Sequence, residues 1–439
     1  MNKIAVTSLG CNKNLVDTEV MLAHLKRAGC EVVGEPGEAD CLLVNTCSFL
    51  REAVEESLDC IVELGTLKQG GRVKRQVVAG CMVSRYGDQI LREVPEVDAL
   101  VPHTDLESIV RAVTGSSPDL DPGPGPGPGP GLPFPPRVLS HPSHRAYLKI
   151  AEGCSNWCSY CKIPSIRGEF VSRPSESILS EMRYLLDQGV REITLVAQDS
   201  GRYGSDAGEG SLASLIRSAV GIPGDYWLRV LYVHPARVTP ELLQAMGSDP
   251  RICPYLDIPF QHVSPPVLER MGRGLAPPPM QVVRAARAAM PGLFLRTTLM
   301  TGFPGETEED FRLLLHFLTQ AGIDHLGVFA YSLEEGTEAA AMSDQVPAQT
   351  ARDRADLLMQ EQAEISARKL SLLVGRELAV LSEGADENGP YGRHRGQAPE
   401  VDGVVRLDRD VEPGTFIRVR ITGSDVYDLE GEVMEQSQI

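Results

Sequence analysis

The stretch Tyr147-Leu148-Lys149-Ile150-Ala151-Glu152-Gly153-Cys154-Ser155-Asn156-Trp157-Cys158-Ser159-Tyr160-Cys161 runs from an apolar strand pattern straight into three thiols within eight residues. Ala146 to Ala151 reads as a buried strand, so Cys154, Cys158 and Cys161 occupy a loop at a strand's C-terminal end. Thiolates are soft ligands suited to iron–sulfur clusters. A loop this short can wrap three corners of a cubane cluster and leave the fourth iron open.

An open iron can take the amino and carboxylate groups of S-adenosylmethionine and pass an electron to its sulfonium. Homolysis then gives a 5′-deoxyadenosyl radical, which can remove hydrogen from an unactivated carbon. In such a reaction the cofactor carries the hard chemistry, while the protein orients it and excludes water. Structural zinc is the competing reading. Zinc sites favour four ligands in two separated pairs. A C-x3-C-x2-C run with Tyr160 before its last cysteine and no nearby fourth ligand fits zinc poorly.

Downstream of the loop, strand patterns recur at Glu192 to Ala197, Leu228 to Val233, Tyr255 to Ile258, Phe294 to Met300 and Leu326 to Tyr331. Helical patterns fill the gaps, notably Glu176 to Gln188, Met280 to Ala289, Glu308 to Gln320 and Thr350 to Leu372. Six βα units predict a full or partial barrel with its chemistry at the C-terminal strand ends. Thr301-Gly302-Phe303-Pro304-Gly305-Glu306 follows one of those strands, and its glycines would let backbone approach a ligand. Gln198, Gln261, Gly302, Gly305 and Glu306 are therefore candidate contacts to S-adenosylmethionine. Helix capping and turn chemistry explain the same residues equally well.

Upstream, Ile4 to Leu9, Cys41 to Asn45 and Gln76 to Ala79 read as buried strands, alternating with helical patterns at Thr18 to Ala28, Arg51 to Leu64 and Gln89 to Val94. This predicts a parallel-sheet α/β domain. Cys11, Cys47 and Cys81 each follow one of those strands. The C-terminal ends of parallel strands share one edge, where loops converge on a common crevice. Three thiols at equivalent positions point to a second three-thiolate cluster, one that could hold sulfur for transfer. The alternative is three small buried residues at loop starts. Cys30, Cys41, Cys60 and Cys253 sit in apolar settings and read as packing residues. The histidines, His234, His262 and His325 among them, are scattered and read as satisfied rather than as ligands.

Five Pro–Gly pairs from Pro122 to Gly131 mark the clearest boundary. Such a segment cannot build a core and lacks the period of collagen. After Ser371, short alternating strands at Glu377 to Ser382, Gly403 to Leu407 and Phe416 to Thr422 predict a small β-barrel. The expected organisation is an α/β domain over residues 1–115, a Pro/Gly linker over 116–137, a partial (β/α)6 core over 138–370 and a small β-barrel over 371–439.

The 439 residues are 42% hydrophobic and 23% charged, as expected of a globular protein with real cores. The N-terminus lacks a secretory signal pattern. No run of about 18 apolar residues predicts a membrane span. The reading is a cytoplasmic protein, and ten cysteines in a reducing compartment imply metal binding or catalysis rather than disulfides.

These residues also resemble a known family. Ser8-Leu9-Gly10-Cys11-Asn12-Lys13-Asn14-Leu15-Val16-Asp17, Cys253-Pro254-Tyr255-Leu256-Asp257-Ile258-Pro259-Phe260-Gln261-His262, Gln397-Ala398-Pro399-Glu400-Val401-Asp402-Gly403 and the run Ile163-Pro164-Ser165-Ile166-Arg167-Gly168 are similar to those of the methylthiotransferases. Within that family the chain most resembles the members that modify an aspartate of ribosomal protein S12. Departures are few: Thr18 stands where serine is common, and Gln198-Asp199-Ser200 varies a usual run of threonines. The resemblance implies a methylthiotransferase N-terminal domain, a radical S-adenosylmethionine core and a C-terminal TRAM domain. It implies two [4Fe-4S] clusters, one on Cys11, Cys47 and Cys81 and one on Cys154, Cys158 and Cys161. It also implies S-adenosylmethionine in two roles, methyl donor and radical source, with the methylthio group placed on the β-carbon of the target aspartate. The electron would come from a flavodoxin or ferredoxin.

Charge bears on the substrate. The formal net charge is −18, and residues 371–439 hold seven arginines, no lysine and fourteen Asp or Glu. Contacts to a phosphate backbone need a basic surplus, so RNA binding is not expected. A basic ribosomal protein is the better electrostatic match. The rival readings are a tRNA adenosine methylthiotransferase using the same chemistry and a non-catalytic iron–sulfur electron carrier.

Overall fold

A computed structural model of the chain describes residues 3–115, 134–140, 142–206, 208 and 210–434. The chain divides into two compact units. One takes in the described residues up to 140 together with 152–155 and 161–181; the other holds the rest.

The first unit opens with β1 (Lys3–Ser8), α1 (Asn12–Arg27), β2 (Glu31–Val33), β3 (Cys41–Thr46), α2 (Arg51–Gln69), β4 (Arg75–Gly80), α3 (Cys81–Tyr86), α4 (Gln89–Glu93), β5 (Ala99–Pro102) and α5 (Ile109–Thr114). The five strands form a sheet in the order β2-β1-β3-β4-β5, parallel throughout. Side chains alternate across it as a pleat requires. Leu43, Val77, Ala79 and Val101 pack with Met21, Leu25, Ile109 and Val113 on one face. Val44 and Val78 pack with Ile61, Met82 and Ile90 on the other. Each such side chain contributes roughly 1.5–3 kcal/mol by leaving water.

Helix α1 begins six residues before the expected Thr18, because its first turns carry no apolar stripe to read. They bury Lys13, Asn14, Asp17, Thr18 and Glu19 instead. Most of the expected Pro/Gly linker lies outside the described residues. Its last residue, Arg137, is buried and ion-paired to Glu19 at 2.6 Å and Glu181 at 2.9 Å.

The chain continues through β6 (Arg145–Lys149), β7 (Ala151–Glu152), α6 (Ile163–Arg167), β8 (Val171–Ser172), α7 (Ser175–Asp187), β9 (Glu192–Val196), α8 (Leu212–Val220), β10 (Trp227–Val230), α9 (Pro240–Met246), β11 (Tyr255–Asp257), α10 (Pro265–Arg270), α11 (Pro279–Ala289), β12 (Phe294–Thr301), α12 (Glu308–Ala321), β13 (His325–Ala330) and α13 (Ala348–Ser371). Within the second unit, β6, β9 and β10 form one parallel sheet and β11, β12 and β13 another. Backbone bonds join them, from Cys253 N–H to the Leu228 carbonyl at 2.8 Å and from Val233 N–H to the Asp257 carbonyl at 2.9 Å. The six strands thus run as one parallel series, a partial (β/α)6 barrel of the expected kind.

The chain ends in β14 (Glu377–Asp386), β15 (Gly389–His394), β16 (Val405–Leu407), β17 (Phe416–Ser424) and β18 (Leu429–Val433), closed into a barrel. Val380, Val405, Val419, Ile421 and Leu429 fill it. No helix among the described residues is long and apolar enough to cross a membrane.

Candidate active site

In the first unit the chain turns at the C-terminal ends of β1, β3 and β4 to present Cys11, Cys47 and Cys81. Cys11 is the N-cap residue of α1, and Cys81 is the first residue of α3. Two glycines let the loops close. Gly10 has φ 89°, and a Cβ there would stand 2.8 Å from the Cys47 Cβ and 3.1 Å from its Sγ. Gly80 has φ 93°, and a Cβ there would meet Asn45 Oδ1 at 2.2 Å. Both positions therefore demand glycine.

A polar lattice holds the loops from below. Asn14 Nδ2 donates to the carbonyls of Leu9 at 2.7 Å and Thr46 at 3.2 Å. Asn45 Nδ2 donates to the Asn14 carbonyl at 2.9 Å and to Thr18 Oγ1 at 2.7 Å. Ser57 Oγ donates to the Cys47 carbonyl at 2.9 Å and accepts from the Cys47 N–H at 3.2 Å.

Arg167, at the end of α6, reaches into this group. Its Nε donates to Cys81 Sγ at 3.2 Å, Nη1 lies 2.7 Å from Asp17 Oδ2, and Nη2 donates to Asn14 Oδ1 at 3.1 Å. The guanidinium is buried. The sequence reading placed Arg167 in a family-like run without assigning it a task.

The three thiols sense one another and Arg167. Burial pushes the Cys81 thiol up to about 11, against the pull of Arg167 and with the push of negative charge on Cys11 and Cys47. Burial also raises Cys47, and Cys11 adds to the rise. For Cys11, crowding by protein is outweighed by Lys13, Arg167 and the backbone amides of Asn14 and Lys13, which leave its thiol below the usual value. Among the described residues, no group of three His, Cys, Asp or Glu side chains has the spacing to hold a single metal ion. A cubane takes each thiolate on a different iron, so it asks for a wider ligand set than one ion does. The three thiols follow adjacent parallel strands and are electrostatically coupled, a soft donor set of the kind iron–sulfur clusters take.

The loop of Cys154, Cys158 and Cys161 is pinned along its length. In the first unit, Gly153 has φ 73° with the Glu169 carbonyl 2.0 Å from where a Cβ would be. Cys154 N–H donates to the Gly168 carbonyl at 3.1 Å, and Phe170 N–H to Ser155 Oγ at 3.0 Å. In the second unit, Asn156 Nδ2 donates to Asp199 Oδ2 at 2.9 Å, and Ser159 Oγ to the Arg270 carbonyl at 2.7 Å. Arg273 Nη1 lies 3.5 Å from Cys158 Sγ while Nη2 donates to the Pro259 carbonyl at 2.6 Å. Trp157 adopts a left-handed backbone with φ 50°. The residue is 64% exposed.

The other sequence candidates stand at the C-terminal strand ends of the second unit. Gln198 follows β9. Gln261, with φ 68°, bridges by its backbone to Thr298 and Met300 of β12 at 2.8 and 2.7 Å. Gly302 and Gly305 have positive φ, and Cβ atoms there would strike Ala351 and Arg270. Their glycine requirement is thus met by protein packing. Glu306 is buried, accepting from Gly302 N–H at 2.8 Å and pairing with Arg354 at 2.6 Å. Its carboxylate braces the loop. Cys30 and Cys41 are buried in the apolar cluster with Leu43 and Val77, and Cys253 is fully buried. His234 and His262 accept backbone N–H bonds through Nδ1.

Three family descriptions match the chain: "Uncharacterized protein family UPF0004" over residues 3–102, "Radical SAM superfamily" over 148–318 and "TRAM domain" over 374–434. The chain is 46% identical to the ribosomal protein uS12 methylthiotransferase RimO of Geobacter sulfurreducens, covering 98% of each chain. It is also 46% identical to the RimO of Pelotomaculum thermopropionicum, over 98% of this chain and 99% of that one.

The chain belongs to the RimO family.

Among solved structures, the radical S-adenosylmethionine methyltransferase TsrM of Kitasatospora setae, with tryptophan and a SAM analogue bound, matches with a TM-score of 0.53. It is 15% identical and covers 89% of this chain and 80% of that one, a likeness of fold. RimO membership matches the three-part architecture: parallel α/β sheet, partial barrel and small closed β-barrel. It identifies the chain as a radical S-adenosylmethionine methylthiotransferase.

Proposed function

We propose that this enzyme places a methylthio group on the β-carbon of an aspartate of ribosomal protein uS12, with one [4Fe-4S] cluster on Cys11, Cys47 and Cys81 and a second on Cys154, Cys158 and Cys161. The observation that carries the activity is the full-length likeness to RimO enzymes. The ligand assignment rests on chemistry: two sets of three thiols at strand ends, each without a fourth thiolate in its own loops. When bound, the clusters and S-adenosylmethionine supply the electron, the 5′-deoxyadenosyl radical and the sulfur and methyl groups that are transferred.

The chain's own contributions follow from its contacts. The Asn14, Asn45 and Ser57 lattice fixes the three loops of the first set. Asn156, Ser159 and Arg273 brace the middle of the loop of the second. Gln198 and Gln261, with backbone at Gly302 and Gly305, are the proposed contacts to the polar ends of S-adenosylmethionine, because they follow the C-terminal ends of parallel strands. Glu306 holds that turn in shape. The electron would arrive from a flavodoxin or ferredoxin in the cytoplasm.

The TRAM match makes RNA the second reading, and the charges of that barrel argue for protein. Of its seven arginines, Arg393 pairs with Glu192 and Glu383, Arg406 with Asp386, the exposed Arg418 and Arg420 with Glu377, and Arg409 with the Val433 carbonyl. Seven arginines against fourteen Asp or Glu leave the barrel no basic surplus to meet phosphates, whereas an acidic chain suits a basic ribosomal protein. The test is anaerobic reconstitution with iron, sulfide and S-adenosylmethionine, then a uS12 peptide containing the target aspartate. Mass gain of one methylthio group on the peptide is expected. A deletion strain that loses the modification from tRNA while keeping it on uS12 would overturn the assignment.

A further inference from the structure

We propose that Arg167 is a positioning residue that sets the reduction potential of the cluster on Cys11, Cys47 and Cys81 by holding a fixed cation against the Cys81 sulfur. The inference rests on the reading of Cys81 as a cluster ligand. Arg167 comes six residues after Cys161 and one before Gly168, so the loop of the second thiol set delivers it. Its Nε donates to Cys81 Sγ at 3.2 Å. Its other nitrogens are clamped by Asp17 at 2.7 Å, Asn14 at 3.1 Å and Glu152 at 3.4 Å. Glu152 stands two residues before Cys154 and Arg167 six after Cys161, so their contact also closes the base of the second loop.

A guanidinium buried this deeply is retained only where it is paired. Arg167 divides its donors among the carboxylates of Asp17 and Glu152, the Asn14 amide oxygen and the Cys81 sulfur, so one of them is aimed at a candidate ligand atom. The aim at sulfur has a physical consequence. Charge and hydrogen bonds at ligating sulfurs are among the main determinants of cluster potential. A donor and positive charge at the thiolate stabilise the more negative reduced state, so Arg167 raises the potential. Asp17, paired to the same guanidinium, lowers it by partly cancelling the charge. The two residues therefore act in opposite directions on one quantity.

The test uses the full chain with Cys154, Cys158 and Cys161 replaced by alanine, so that only the first cluster gives a signal. Iron and sulfide are measured first; then the midpoint potential is followed by electron paramagnetic resonance. R167Q is expected to shift the potential down, R167K to shift it down by less, and D17N to shift it up. If R167Q loses iron, R167K and D17N decide the sign. Unchanged potentials at full iron content, or shifts of the same sign in R167K and D17N, overturn the inference. Failure of the underlying reading looks different: C81A in the same background would keep a full complement of iron.

Discussion

Arg393 near the end of β15 places its Nη2 2.5 Å from Glu192 Oε2 at the start of β9, joining positions 201 residues apart. The other Glu192 oxygen takes Arg229 Nε at 2.7 Å. All three side chains are essentially sealed from water. Removing one partner of such a group leaves uncompensated buried charge, at a cost of about 3–5 kcal/mol. E192Q leaves two guanidiniums facing one neutral amide and Glu383. The expected outcome is a loss of stability of that order in chemical denaturation, with the secondary structure retained in buffer. A loss under about 1 kcal/mol would show that Glu383 and the Arg395 carbonyl, which accepts from Arg229 at 3.1 Å, suffice to hold the pair.

Acid lability follows from the same barrel. Burial, with the positive charge of His325 and Arg229, holds His394 down to about 3 against the opposing pull of Asp402. Burial would raise Glu383, but its bond to His144 and the charges of Arg393 and Arg145 bring it down to about 2. Unfolded, a histidine takes up its proton near pH 6.5 and a glutamate near 4.3. As pH falls below about 6.5 the unfolded chain binds a proton that folded His394 refuses, so stability drops through that range. Below about 4.5 Glu383 adds a loss in the same direction, complete near pH 2. The metal-free chain should show a lower denaturation midpoint at pH 5 than at pH 7.5, and H394Q should flatten that slope. A slope unchanged by H394Q would assign it to other groups.

Much of this architecture was legible in the chain because its strands are buried on both faces. Leu42, Leu43 and Val44, or Val77, Val78 and Ala79, read as continuous apolar runs of parallel strands. Strand β15 is not legible because Gly389-Pro390-Tyr391-Gly392-Arg393-His394 has no alternation to detect; its buried positions are a glycine, the ion-paired Arg393 and the uncharged His394. The start of α1 was hidden for the same reason, since its first turns bury the polar groups that brace Cys11 and Cys47. The cysteines announced themselves by position after strands. Arg167 did not, because its task depends on contacts with Asp17 and Cys81, 150 and 86 residues away.

Gly80 offers a local test of the first thiol set. Alanine there would need φ 93° and would drive its Cβ to 2.2 Å from Asn45 Oδ1 and 2.8 Å from the Thr46 carbonyl. A strained backbone costs on the order of 1–3 kcal/mol, and relief must move either Cys81 or the Asn45 bonds to Asn14 and Thr18. G80A is expected to fold, to lose most of the iron of the first cluster and to keep that of the second. Iron analysis should fall toward half the wild-type content. Full iron content in G80A would mean that the loop adapts and that the close packing at Gly80 is incidental.

The ten cysteines divide into two classes that substitution should separate. Cys253 is fully buried, and burial raises its thiol against the pull of Arg229; a thiol so placed packs as a small hydrophobe. Cys47 is partly exposed at the end of β3 beside Cys11, where a thiolate can reach iron. C47S removes a soft ligand while nearly preserving volume. It should lose the first cluster and methylthio transfer yet still cleave S-adenosylmethionine when reduced, because Cys154, Cys158 and Cys161 are untouched. C253A should keep both clusters and activity, paying only a cavity penalty of about 1 kcal/mol in denaturation. Loss of S-adenosylmethionine cleavage in C47S would contradict the division of labour between the two thiol sets, and iron loss in C253A would show that packing at β11 supports cluster binding.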